Sequence, residues 1–126
     1  MTTKPVLFDI QEVEWKDFGN GLNACVLQGT PNATIQYWAI QPGGGALEHS
    51  HPEEQIVYIQ SGRIDLTVDG VTYDMGPGCF CVIPPNASHA TYNKGKDVAI
   101  NIDVFLPARS DRVHSKKDID LGHTNW

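Results

Sequence analysis

Two histidines separated by a single residue, His49 and His51, have side chains able to bind a transition metal. On an extended segment, alternate side chains point to the same side, so the two imidazoles would project together. Gln55 has the same parity, whereas its acidic neighbour Glu54 does not. We therefore predict that one strand face carries three ligands and that His89, further along the chain, supplies the fourth. Imidazole ligands favour Zn, Ni, Fe or Cu over Mg or Ca, and Mn is retained as an option.

The role of Gln55 leaves two alternatives open. The side chain can hydrogen-bond to a ligand instead of coordinating, and Glu54 can replace it if the strand carries a bulge. An amide oxygen is uncharged, so a site of three histidines and Gln55 keeps nearly the full charge of a divalent ion. Such a site is expected to hold its metal less tightly, to be the stronger Lewis acid and to attract an anionic substrate.

Composition limits the classes of function. The chain has 126 residues, which suits one domain, and a net charge of −6 argues against nucleic-acid binding. No apolar run is long enough to span a membrane and the N-terminus lacks a signal-peptide core, so we expect a cytoplasmic protein without a membrane partner. Three cysteines do not form a disulfide framework. Cys79 and Cys81 share a strand face and are expected to be small buried residues, the alternative being metal ligands.

The elements that must position these residues are predicted to be strands. Turn signals recur at even spacing, Asp69-Gly70 is a two-residue hairpin signal, and no segment has helical periodicity. The polar tail 110–126 has no assigned element; its histidines, His114 and His123, are not expected to be ligands, and Trp126 could dock on the body or on a partner subunit. Predicted strands fall at residues 13–16, 24–27, 34–41, 55–60, 63–68, 71–74, 79–83, 88–92 and 98–105.

Two spaced motifs resemble those of the cupins. The first runs over residues 43–62 and contains Gly43, His49, His51, Gln55 and Gly62, with Gln in place of the usual Glu. The second runs over residues 78–93 and contains Gly78, Pro84, Asn86, His89 and Asn93, with Asn in place of a Gly. Asn tolerates a left-handed turn conformation, so the second change should be harmless. The resemblance implies one all-β domain over residues 1–126, a double-stranded β-helix, or jelly-roll β-barrel, with its last strand at about 98–105.

Two shorter stretches, residues 49–55 and 103–109, resemble the KdgF-like cupins of pectin and alginate breakdown. Those proteins convert 4,5-unsaturated uronates into linear 4-deoxy-5-keto uronates. The resemblance implies a metal-dependent, non-redox ring-opening enzyme that acts on a small anionic sugar. Asp103 would be the general acid/base, Arg109 would hold the carboxylate with a paired hydrogen bond, and Phe105 would form an apolar wall.

The pattern of the last strand permits two orientations. Simple alternation would bury its apolar residues and leave Asp103 in water. The KdgF-like function needs Asn101, Asp103 and Phe105 to face the barrel mouth, with the apolar face covered by another sheet or by a second subunit in a homodimer. The apolar residues are Val98, Ile100, Ile102 and Val104.

Two other functions stay open. The protein could be a cupin dioxygenase or other oxidoreductase, although the neutral Gln55 ligand weakens that case because oxygen activation at Fe(II) usually involves a carboxylate ligand. It could also be a non-catalytic sensor or carbohydrate-binding cupin, since a fold does not by itself define an activity.

Overall fold

Nine β-strands make up the regular structure of residues 4–112, the part of the chain that a computed structural model describes. Within that range no helix is long and apolar enough to cross a membrane. The strands are β1 (Lys16–Gly19), β2 (Leu22–Thr30), β3 (Ala33–Ile40), β4 (Glu54–Ser61), β5 (Ile64–Val68), β6 (Val71–Met75), β7 (Phe80–Ile83), β8 (His89–Tyr92) and β9 (Ala99–Leu106).

The strands form two antiparallel sheets. The larger has the order β1-β2-β3-β9-β4-β7 and the smaller has the order β6-β5-β8. A cluster of buried side chains from both sheets forms the core, and Trp38, Ile40, Val57, Ile59 and Leu66 belong to it. The predicted all-β jelly roll is confirmed.

Tight turns that need positive φ angles have suitable residues. Asp69 and Gly70, with φ of 46° and 84°, join β5 to β6, as their hairpin signal predicted. Asn86 has a φ of 68°, so it adopts the left-handed conformation expected of a residue that replaces a motif glycine. Gly62, with a φ of 77°, also faces a crowded backbone, because a Cβ there would lie 2.7 Å from the Cα of Ala99.

Strand β9 lies between β3 and β4, and its side chains alternate in burial. Asn101 and Asp103 are buried and pair with the core residues Trp38 and Val57, whereas Ile102 is half-buried on the opposite face. The polar face of β9 therefore points into the barrel and its apolar face points outward. Strand pairing, and not hydrophobicity alone, sets this orientation.

Three details differ from the expectations. The strand predicted at 13–16 is wrong, because Val13 packs in a separate apolar cluster with Cys25 and Leu27 and the first strand begins at Lys16. Cys79 is exposed and not buried, because it lies in the turn before β7, where its N–H donates to the carbonyl of Gly76. Cys81 is only partly buried. The predictions for His114, His123 and Trp126 lie outside the described residues.

Candidate functional site

Hydrogen bonds between the two motif segments bring the three histidines together. His49 and His89 form an isolated antiparallel bridge, in which each backbone N–H donates to the other's carbonyl at 3.0 and 2.9 Å. The N–H of Asn86 donates to the carbonyl of His51 at 2.8 Å. The ring centroid of His89 consequently lies 4.3 Å from that of His49 and 4.8 Å from that of His51.

The amide side chain of Asn93, the last residue of the second motif, has a structural role. This residue is fully buried, and its Nδ2 donates to the carbonyls of Ile40 and Asp97 at 2.9 and 2.8 Å. Its backbone also exchanges hydrogen bonds with the segment at Gly43 and Gly44. Asn93 therefore fixes the far end of the paired segments and contributes nothing to the metal site directly.

The prediction that one strand face carries His49, His51 and Gln55 is wrong in its local structure. Strand β4 begins at Glu54, so the two histidines precede it and only Gln55 lies on it. Pro52 lies between His51 and the start of β4, and it has no N–H to donate to a ladder, which is consistent with an interrupted strand. Convergence comes from the bridge to His89 instead of from strand parity.

Each imidazole is oriented by a backbone carbonyl two residues away. The Nδ1 atoms of His49, His51 and His89 contact carbonyl oxygens at 2.6, 3.0 and 2.9 Å. A carbonyl can only accept, so these contacts place the proton on Nδ1 and leave the lone pair on Nε2. Carbonyls in this position orient imidazole ligands in many metal proteins.

The arrangement fits a divalent metal ion. The possible ligand nitrogens of His49, His51 and His89 lie within 4.8 Å of one another. Burial lowers the pKa of His51 and of His89, which keeps both rings neutral and able to coordinate. Nε2 of His89 is buried without a hydrogen-bond partner among residues 4–112. A cation would satisfy this lone pair.

Gln55, and not Glu54, faces the histidines. The pairing of β4 with β9 is regular here, with Gln55 opposite Phe105, so the bulge that would turn Glu54 inward is not present at this position. Oε1 of Gln55 lies 3.0 Å from Nε2 of His51. Two lone-pair acceptors at this separation need a proton or a cation between them, which supports Gln55 as the fourth ligand.

Asp103 is 6% exposed and lines the same cavity as His49, His89 and Gln55. Burial raises its pKa to about 6, although hydrogen bonding from Asn101 and Gln55 opposes this shift. The Nδ2 group of Asn101 donates to Oδ1 of Asp103 at 2.7 Å, which fixes the carboxyl group. Asp103 can therefore exchange a proton near neutral pH.

Arg109 and Phe105 form the next part of the wall. The guanidinium of Arg109 lies 4.8 Å from the Phe105 ring centroid, and the Phe105 ring lies 5.4 Å from that of His51. Nε and Nη2 of Arg109 donate to the two carboxylate oxygens of Asp111 at 2.9 and 2.7 Å. Among residues 4–112 no acceptor is found for Nη1, so that end of the guanidinium can bind a ligand.

Most of these side chains line one open cavity of about 220 Å³. This volume is below the ~300–1,000 Å³ of sites for drug-sized ligands, which favours a ligand of about monosaccharide size. Sequence reasoning missed Trp38, Thr91 and Arg112 in its lining. The register of β3 against β9 would have identified Trp38, but no periodic pattern in the polar tail distinguishes Arg112.

Residues 36–105 match the family model described as the cupin domain. The match covers more than half of the chain, and this protein belongs to the cupin family. It is 31% identical over 75 residues to H2HPP isomerase of Bacillus subtilis, covering 60% of this chain and 32% of that protein. It is also 29% identical over 101 residues to polyketide synthase CurC of Streptomyces cyaneus, covering 76% of this chain and 66% of that protein. The chain thus spans about a third of the first relative and just under two thirds of the second.

Solved cupin structures have the same fold. An RmlC-like cupin from Shewanella frigidimarina superimposes with a TM-score of 0.80 at 26% identity, covering 90% of this chain and all of that one. KdgF from Halomonas sp. superimposes with a TM-score of 0.81 at 24% identity, covering 87% of this chain and all of that one. The small single-domain cupin architecture is therefore well supported.

Proposed function

We propose that this cupin is a metal-dependent enzyme that opens the ring of 4,5-unsaturated uronates to give linear 4-deoxy-5-keto uronates. The observation that carries the proposal is one cavity lined by a buried carboxyl group, an arginine and two members, His49 and His89, of a three-histidine cluster. These are the parts that the reaction requires: an electrophile, a proton donor and acceptor, and an anchor for a carboxylate. The KdgF-like stretches at residues 49–55 and 103–109 agree with this assignment.

The ligand set would be His49, His51, His89 and Gln55. A divalent transition metal bound there supplies Lewis-acid polarisation or lowers the pKa of bound water. Gln55 leaves the charge of the ion uncompensated, which suits an anionic substrate and disfavours oxygen activation at Fe(II). This neutral ligand is the reason for ranking the dioxygenase alternative lower.

Asp103 would act first as an acid and then as a base. In its protonated form it donates a proton to C4 of the enol ether. The carboxylate then accepts a proton from the water whose oxygen bonds to C5. In the last step it moves the proton of the new C5 hydroxyl to the ring oxygen as the C5–O ring bond breaks and C5 becomes a carbonyl. A proton-transfer role of this kind typically contributes about 10²–10⁴-fold to the rate.

Arg109 and Phe105 would position the substrate. The guanidinium end left open by Asp111 offers hydrogen bonds to the uronate carboxylate, and the Phe105 ring offers an apolar surface for one face of the sugar. The cavity volume is sufficient for a single sugar ring.

The test is an ultraviolet assay with unsaturated uronate monomers made by a pectin or alginate lyase. Protein loaded in turn with Zn, Ni, Fe, Mn and Cu is expected to accelerate loss of the conjugated absorbance over the spontaneous rate. No acceleration by any metal-loaded form would reject the activity. Oxygen uptake with small organic substrates would instead support the dioxygenase, and sugar binding without turnover would support a binding protein.

We also propose that the protein is a homodimer in which the outer face of β4, β7 and β9 is buried against its copy. Two rows of paired apolar side chains lie on that face, with Phe80 and Val82 69% and 58% exposed. The N-terminal residues Phe8 and Ile10 pack against the adjoining surface, in the apolar cluster that contains Cys25 and Leu27 of β2. An apolar face of this kind is self-complementary across a two-fold axis, so a second copy can cover it without matching charges.

Phe80→Glu is expected to raise the dimer dissociation constant by at least about 100-fold, because two buried carboxylates would replace two apolar rings. Light scattering after size-exclusion chromatography over a dilution series measures the effect. Val71→Glu, on the smaller sheet and also exposed, is the matched control and should leave the mass unchanged. An unaltered protein that is monomeric at all concentrations would contradict the dimer.

A further inference from the structure

Arg112 provides a second guanidinium at the cavity, next to the one predicted from sequence. Both Arg109 and Arg112 line the cavity together with Asp103, His49 and His89. The side chains of Arg109 and Arg112 are 6% and 21% exposed. A partly buried pair of like charges is unfavourable unless an anion lies between or beside them.

Asp111 holds the two guanidiniums together from the solvent side. Its Oδ2 accepts hydrogen bonds from Nη2 of Arg109 at 2.7 Å and from Nη1 of Arg112 at 3.2 Å. Its side chain is 56% exposed, far more than either arginine. The carboxylate therefore lies on the outer side of the pair, whereas the other carboxyl groups that act on the charge of Arg112 are those of Glu53 and Asp103.

The position of Arg112 is fixed by two further contacts. Nε donates to Oε1 of Gln36 at 3.1 Å, and Gln36 is fully buried on β3. The guanidinium also lies 5.5 Å from the ring centroid of Phe18. No partner among residues 4–112 accepts a hydrogen bond from Nη2 of Arg112. The donor is thus held in place and available, an arrangement that reduces the entropic cost of binding.

A second unpaired donor lies in the wall on the same strand as Gln36. The indole Nε1 of Trp38 is buried, and no residue in the described part of the chain accepts a hydrogen bond from it. It is close enough to Asp103 to lower the pKa of that carboxyl group, but the contact lacks hydrogen-bond geometry. A buried N–H without an acceptor is costly, and a ligand oxygen in the cavity would satisfy it.

We propose that Arg112 is a specificity-determining residue that, together with Arg109, binds the carboxylate of the ligand, and that Asp111 positions both arginines. Arg112 selects acidic sugars over neutral sugars of the same size. The choice of a sugar acid rests on the proposed function, whereas the anion clamp does not depend on turnover.

The test measures binding of D-galacturonate, a saturated uronate that cannot undergo the ring opening, and of D-galactose, its neutral counterpart, to metal-loaded protein by calorimetry. Arg112→Gln is expected to weaken galacturonate binding about tenfold or more and to leave galactose binding within twofold. Arg112→Lys keeps the charge without the planar fork and should give an intermediate loss. Arg63→Gln, which removes an exposed arginine paired with Asp74, is the matched control.

Four outcomes of the binding measurements overturn the clamp. The unaltered protein shows no preference for galacturonate over galactose, or Arg112→Gln binds galacturonate with an affinity within twofold of that of the unaltered protein. Alternatively, Arg112→Gln loses affinity for both sugars equally, or Arg112→Lys folds and binds galacturonate as tightly as the unaltered protein does. Unfolding curves show whether each variant folds. If Arg112→Gln does not fold, the affinity of Arg112→Lys for galacturonate tests the clamp. Ring opening with an unchanged KM in Arg112→Gln would reject the clamp and keep the proposed function. Selective binding of galacturonate without ring opening of unsaturated uronates would reject the proposed function and keep the clamp.

Discussion

Asp103→Asn is expected to slow ring opening of unsaturated uronates by about 10²–10⁴-fold while the protein still binds its metal. Asn has nearly the same shape and can still accept the hydrogen bond that Asn101 donates to Oδ1. It cannot hold a transferable proton, so the loss would come from the proton-transfer step. The decrease in ultraviolet absorbance of the substrate measures the rate, and elemental analysis measures the metal.

The control for this variant is Asp97→Asn, which makes the same chemical change at an exposed position outside the cavity. It should keep the rate of the unaltered protein. Unchanged turnover in Asp103→Asn would remove this residue from the mechanism. Loss of metal together with turnover would assign Asp103 to the support of the metal site instead of to acid/base chemistry.

His89→Ala is expected to lower metal affinity by at least about 100-fold, because it removes one nitrogen ligand while alanine keeps the backbone bridge to His49. In the unaltered protein, metal at a thousand times its dissociation constant should add about 4 kcal/mol of stability, or roughly 10–15 °C in Tm for a domain of this size. The variant should lose most of that increase. Thermal unfolding with and without added Zn²⁺ or Ni²⁺ measures it.

His123→Ala is the matched control, since His123 lies outside the described residues and was not predicted to be a ligand. Its Tm should rise with metal as in the unaltered protein. An unaltered protein that binds none of the five metals and shows no metal-dependent Tm would contradict the metal site. His89→Ala binding metal as tightly as the unaltered protein would exclude His89 as a ligand.

Much of the fold could be read from local pattern. Period-two alternation and turn residues located eight of the nine strands to within a few residues, and the Asp69-Gly70 turn has the predicted positive φ angles. The strand predicted at 13–16 failed because an apolar residue can be buried by packing onto a sheet without joining its ladder, as Val13 is. The prediction that Cys79 is buried failed for a related reason, because residue type alone does not show which turns are exposed.

The candidate site could be predicted only in part. The spacing of the two motifs predicted that the histidines and Gln55 are ligands, and the three histidines do lie close together, but the prediction that His49 and His51 lie on a strand was wrong. Arg112 followed no pattern, because its position depends on a long-range contact with Gln36. Such contacts are formed between segments far apart in the chain and leave no local periodicity.

The sequence by itself determined which side chains are chemically suited to a metal site, where the turns fall and which residues of β9 share a face. Tertiary structure alone decided that Asp103 faces the cavity and that the histidines converge. Alternation specifies that two faces differ but not which one is inside. That choice is made when β9 pairs with β3 and β4, whose core side chains place Asn101 and Asp103 in the barrel interior.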